Sequence, residues 1–216
     1  MQKIFFYSAV TALVFIFSSC IGMAIDIQMS RDGSGRVLFE YQMSHILAGL
    51  GALDGNQSMP PIPAGREDWQ RTIQRIPGLR LVSYSSRETS QGTIMNVTLD
   101  YDNEKALSQL LDPSGQRISI KRDERSGEFD LLVFNEASSF DENMMLLAHS
   151  FLEGYDFSIS FSAPSNSTMI INDSNNNAIL NPASAVITEH GRKTSLKMSM
   201  QDVLALKNGL RIKFVW

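Results

Sequence analysis

Alternation is the first pattern the chain offers. Ile25, Ile27 and Met29 are separated by Asp26 and Gln28, and Val37, Phe39, Tyr41 and Met43 take every second position a little further on. Successive strand residues point to opposite faces, so each set lines one side of a half-buried strand. Between them Asp32-Gly33-Ser34-Gly35 supplies residues that tolerate positive φ, as a tight hairpin requires. A calcium loop would need several spaced carboxylates, and only Asp32 is present. The first strand is expected from about Ala24.

Further along, helical and strand periods take turns. Trp69, Ile73 and Ile76 recur at helical spacing, and Pro77-Gly78 ends that segment. Strands are expected around 79–87 and 92–101, followed by a helix that Asp102 caps and Asp112-Pro113 stops. Two more strands, near 117–123 and 128–135, flank the turn Arg125-Ser126-Gly127. Ser139 and Glu142 have capping-box spacing ahead of another helix, with Gly154 just past its end. Tyr155, Phe157, Ile159 and Phe161 alternate with polar residues, as do Leu196, Met198 and Met200. A short helix near 201–207 precedes a last strand with Leu210, Ile212, Phe214 and Trp216 on one face. The longest irregular stretch, residues 53–65, contains Pro60, Pro61 and Pro63. Short connections of this kind predict an α+β fold: a mostly antiparallel sheet with helices packed on one face, in a single domain.

Ahead of that domain the pattern changes. Lys3 is the one charge before an apolar stretch from Ile4 to Phe17, and Ser18, Ser19 and Cys20 follow. That length suits the core of a signal peptide and is short for a spanning helix. The alternative, an uncleaved helix reaching Ile25, would be diluted by Ser18, Ser19 and Gly22 and would consume residues of the first strand. The expected division is residues 1–19 as a lipoprotein signal peptide cut between Ser19 and Cys20, 20–23 as a short tether, and 24–216 as the folded domain. Cys20 is the only cysteine in the chain, which excludes an internal disulfide and any CxxC site. The stretch resembles the lipobox of bacterial lipoproteins, with Phe17 where leucine is usual. The resemblance implies acylation of Cys20, and two or more acyl chains anchor a protein where one would be marginal.

Charge narrows the partners. The chain carries 19 basic and 23 acidic side chains, and removal of residues 1–19 costs it Lys3 alone. A mildly acidic domain lacks the basic footprint of a nucleic-acid binder. Four Asn-x-Ser/Thr sequons, at Asn56, Asn96, Asn166 and Asn172, matter only in a eukaryotic secretory pathway. His45, His149 and His190 are scattered, and there is no G-x-S-x-G, H-E-x-x-H or phosphate-binding loop. No catalytic set, metal site or cofactor is expected. Arg66, Arg71, Arg75 and Arg80 lie in or beside the tryptophan-containing helix, where they would meet anionic headgroups or form a solvated face offset by Glu67 and Asp68. Eleven methionines, Met144, Met145, Met198 and Met200 among them, suit core filling or an adaptable apolar pocket.

The lipobox, the hairpin IDIQMSRDGSGRVLFEY and the tail ITEHGRKTSLKMSMQDVLALKNGLRIKFVW together look like the bacterial LppM-type lipoprotein domain. That resemblance implies an α+β domain on the cell envelope, anchored by lipid and facing the periplasm or the exterior. It brings no catalytic residues with it. The leading expectation is a non-catalytic interaction module that contacts membrane lipid through Cys20 and an envelope or host component through its surface. A carrier or sensor of an amphiphile, held between sheet and helices, is the second. A hydrolase with an unrecognised site is the third.

Overall fold

The structure is a computed structural model that describes residues 21–44, 65–90, 92–123, 126–134, 152, 154–179, 184–206 and 209–216. The expected opening hairpin is β1 (Ile21–Met29) and β2 (Gly35–Ser44), with Gly33 turning the corner at φ 84°, where a side chain would clash. Next come α1 (Arg66–Arg75), β3 (Leu79–Thr89), β4 (Gly92–Tyr101) and α2 (Glu104–Leu111). They are followed by β5 (Ile118–Arg122), β6 (Gly127–Phe134), β7 (Asp156–Ser162) and β8 (Thr168–Asn172). β9 (Val186–His190), β10 (Lys193–Ser199), α3 (Met200–Ala205) and β11 (Leu210–Val215) complete the series.

The strands divide between two sheets. The larger has the order β3-β4-β2-β1-β7-β10-β9, antiparallel except where β1 runs parallel to β7. The smaller has the order β5-β6-β11-β8 and is antiparallel throughout. β1 starts at Ile21, ahead of the start expected at Ala24, because its pairing with β7 extends to Ile21 opposite Asp156 across a bulge. A long-range partner of this kind leaves no mark on the local pattern.

Register gathers the apolar half of each alternation on one face of the large sheet. Ile25 faces Phe39 and Ile159, Ile27 faces Val37 and Phe161, and Val97 and Leu99 continue the rows on β4. All of these side chains are buried. Phe129 and Phe214 of the small sheet meet Phe161 of the large one at 5.3 and 5.1 Å between ring centroids, and Trp216 meets it at 5.2 Å. Burying one such ring removes about 150–250 Å² from water, on the order of 4–6 kcal/mol at about 25 cal/mol per Å² as an upper bound. The aromatic contact therefore joins the two sheets.

The mostly antiparallel, sheet-rich architecture is as expected. Among the described residues a second sheet covers the apolar face around Phe161, and the helices contribute single anchors. Trp69 of α1 lies 5.4 Å from Phe39 and donates its indole N–H to the Tyr41 hydroxyl at 3.2 Å. Ala106 and Leu107 of α2 and Val203 of α3 are buried. The cap of α2 is Asn103, whose Oδ1 accepts from the Ala106 N–H at 3.0 Å, and not the expected Asp102. Asp102 is engaged elsewhere, its N–H donating to the Gly78 carbonyl at 2.9 Å. The expected helix after Ser139, with Met144, Met145 and His149, lies outside the described residues except for Leu152 and Gly154. So do His45 and the irregular stretch up to residue 64.

Candidate functional site

The polar half of each alternation lies on the opposite face of the large sheet, and register aligns part of it into one row. Arg80 stands opposite Asp100, Asp100 opposite Arg36, Arg36 opposite Gln28, and Gln28 opposite Ser162. Ser162 stands opposite Lys193, and Lys193 opposite His190, so the row crosses all seven strands. It runs along the end of the sheet that carries the β1–β2 turn. A solvent-open cleft of about 750 Å³ lies there, floored by Arg80, Asp100, Arg36, Gln28 and Ser162. Asp32, Asp102 and Arg192 also line it.

Its charges are unequally satisfied. Arg36 grips Asp100 with two hydrogen bonds, from Nε at 2.7 Å and a terminal nitrogen at 3.2 Å, and this holds the Asp100 carboxyl below the usual carboxylate range. The Ser34 hydroxyl and N–H both donate to Asp32, at 2.7 and 3.0 Å, and lower its pKa likewise. Arg80 reaches Asp102 only at 3.5 Å, with both side chains more than half exposed, which makes a weak pair. Arg192, an exposed residue, donates from Nε to the Ala163 carbonyl at 2.8 Å. Among the described residues its terminal nitrogens have no carboxylate partner.

Tyr101 braces the floor from the buried side. Its hydroxyl donates to the Gln28 carbonyl at 2.9 Å, and burial pushes its phenol pKa up. The ring passes because position 35 is glycine: a Cβ there would lie 2.5 Å from the Tyr101 hydroxyl and collide with the Gln28 carbonyl. The cleft thus presents hydrogen-bond donors and acceptors along the open face of the sheet. No three His, Cys, Asp or Glu side chains among the described residues are grouped to hold a metal ion.

The residues singled out by sequence fall in different places. Ser19 and Cys20 lie outside the described residues, and β1 begins at the very next position. Arg66, Arg71 and Arg75 are on α1, where Arg71 pairs with Asp68 at 2.5 Å. Arg80 stands apart from them in the cleft. His190 is exposed at the far end of the polar row. The rest of the row escaped notice because Asp100, Arg36, Gln28, Ser162 and Lys193 come from five strands scattered between positions 28 and 193. The only hint was the polar partner in each alternation.

No family model matches the chain, and no curated protein matches it. Among solved structures it is similar to the folded domain of Mycobacterium tuberculosis LppM, determined by NMR. The likeness covers 83% of this chain and 89% of that one, at 9% identity and a TM-score of 0.35. So loose a likeness carries no argument about function. No helix among the described residues is long and apolar enough to cross a membrane.

Proposed function

We propose that this chain is a lipid-anchored lipoprotein of the bacterial envelope that acts as a non-catalytic binding module, held by acylated Cys20 with its polar cleft turned away from the bilayer. The position of β1 carries this reading. The strand starts one residue after Cys20 and runs to Met29, at the β1–β2 turn beside the cleft. Nine strand residues span about 26 Å at about 3.3 Å per step. An anchor at Cys20 therefore draws the Ile21 end of the sheet to the headgroups and leaves the cleft at the opposite end.

The filled space between the sheets supports a binding surface over a carrier. Phe129, Phe161 and Phe214 are completely buried against one another where an acyl chain would need room. The open concavity is lined by charges and hydroxyls instead. At its centre Arg36 and Asp100 are engaged with each other, which supports recognition over catalysis.

Intact-mass analysis of the protein extracted from its native membrane tests the anchor. The expected species lacks residues 1–19 and carries fatty acyl groups on Cys20. A species that retains Met1 and a free Cys20 thiol overturns the reading.

A further inference from the structure

We infer that the large sheet leans on the bilayer through its β9 edge, with Val186 and Ile187 seated in the lipid interface. The inference rests on the lipid anchor at Cys20 and adds to it the edge of the domain that touches the membrane.

The anchor by itself leaves the direction of lean open. β1 is the central strand of the large sheet, with three strands on either side. A tether one residue before it therefore holds the sheet near its midline. Each edge strand lies three spacings away, about 14 Å at about 4.8 Å each. Ala24 lies four residues beyond Cys20, about 13 Å at about 3.3 Å per step. A lean of about 45° to one side thus brings that edge, at the level of Ala24, down to the anchor.

The chemistry of the two edges selects the side. One register row runs from Ser85 on β3 through Ala24 to Val186 on β9. At its β9 end Val186 and its neighbour Ile187 are 61% and 48% exposed. At its β3 end Ser85, Ser86, Arg87 and Glu88 are all exposed, the last three on the anchored side of the row. Taking Arg87 and Glu88 out of water costs free energy, whereas two aliphatic side chains gain it on entering the interface. Lys197, the cross-strand neighbour of Val186, pairs with Asp156 at 2.8 Å, and its long exposed stem suits an ammonium held at headgroup level. The other exposed large apolar side chains among the described residues lie elsewhere, Val82 on β3 toward the cleft and Ile170 on the small sheet.

The test uses the acylated full chain in vesicles of phosphatidylcholine and phosphatidylglycerol. Val186→Cys and Ser85→Cys each carry one nitrobenzoxadiazole fluorophore, and lipids spin-labelled high on the acyl chain quench it on contact. Both positions are exposed, so neither substitution disturbs the core. Quenching at position 186 is expected to exceed that at position 85 by about threefold or more, and Ile187→Asp to remove most of the excess. Equal quenching at the two positions, or stronger quenching at 85, overturns the inference. So does a label at 186 that is shielded from iodide yet unquenched by the lipids, because a second copy or another protein then covers β9. Intact mass of the same preparation separates the two readings. An acylated protein with equal quenching defeats the lean alone, whereas a free Cys20 thiol defeats the anchor and the lean with it.

Discussion

The rings of Phe129 and Phe161 stack at 5.3 Å between centroids, with planes 9° from parallel. One belongs to the small sheet and the other to the large, so this pair is where the layers of the molecule are joined. Phe161 also touches Phe214 and Trp216. Truncating it removes contacts on three sides and leaves a void that rigid strands cannot close. Phe161→Ala is expected to cost about 3–5 kcal/mol in urea unfolding. A loss below about 1 kcal/mol would mean that the interlayer space is loosely filled and would reopen the carrier reading.

Asp112 gives the fold an acid-sensitive point between α2 and β5. Burial alone would raise its pKa. Hydrogen bonds to its carboxylate from the Ser114 hydroxyl and N–H and from the Arg117 and Ile118 N–H groups outweigh that effect, and the pKa falls below 3.8. A folded-state pKa below the unfolded one contributes stability that is complete above about pH 4 and drains away as pH falls through the folded value. Asp112→Asn is expected to lower stability at pH 7 by about 1–3 kcal/mol, because the oxygen replaced by an amide nitrogen leaves two of these donors without their acceptor. Its stability should also fall less steeply than the wild type's below pH 4. Equal acid slopes in the two proteins would contradict the role assigned to this carboxylate.

Gly35 tests how tightly the cleft floor is built. An added methyl meets the Gln28 carbonyl and the Tyr101 hydroxyl, so the β1–β2 hairpin or the Tyr101 ring must move. Gly35→Ala is expected to destabilise by about 2–3 kcal/mol, in the range of other overpacked sites. It should also weaken the Tyr101 contact with Gln28. A neutral substitution would show that the floor yields.

The strands with one wet and one dry face were legible because alternation is a local signal. Ile25 to Met29, Val37 to Tyr41, Phe157 to Phe161 and Leu210 to Phe214 all fall where the pattern put them. β8 at the edge of the small sheet, β9 at the edge of the large one, and the division of the strands into two sheets were not legible. β8 has adjacent Ile170 and Ile171 flanked by Asn172, and β9 exposes both Val186 and Ile187, so neither shows a clean period of two. Both are edge strands, where one side of the backbone is free and the burial pattern weakens. The cleft was hidden for another reason. Arg36 and Asp100 are 64 residues apart, and only pairing through β2 and β4 makes them neighbours.

Orientation on the membrane is the most direct test of the proposed role. Ser30 lies exposed beside the β1–β2 turn, and Ser90 lies exposed in the turn between β3 and β4 at the other end of the sheet. Ten residues of β4 separate those ends by about 30 Å. Acylation blocks Cys20, so Ser30→Cys and Ser90→Cys each carry one fluorophore, and energy transfer to an acceptor-labelled lipid reports its height above the bilayer. Strong transfer from position 90 and weak transfer from position 30 is the expected result. Equal transfer from the two, or stronger transfer from position 30, would contradict a cleft that faces away from the membrane.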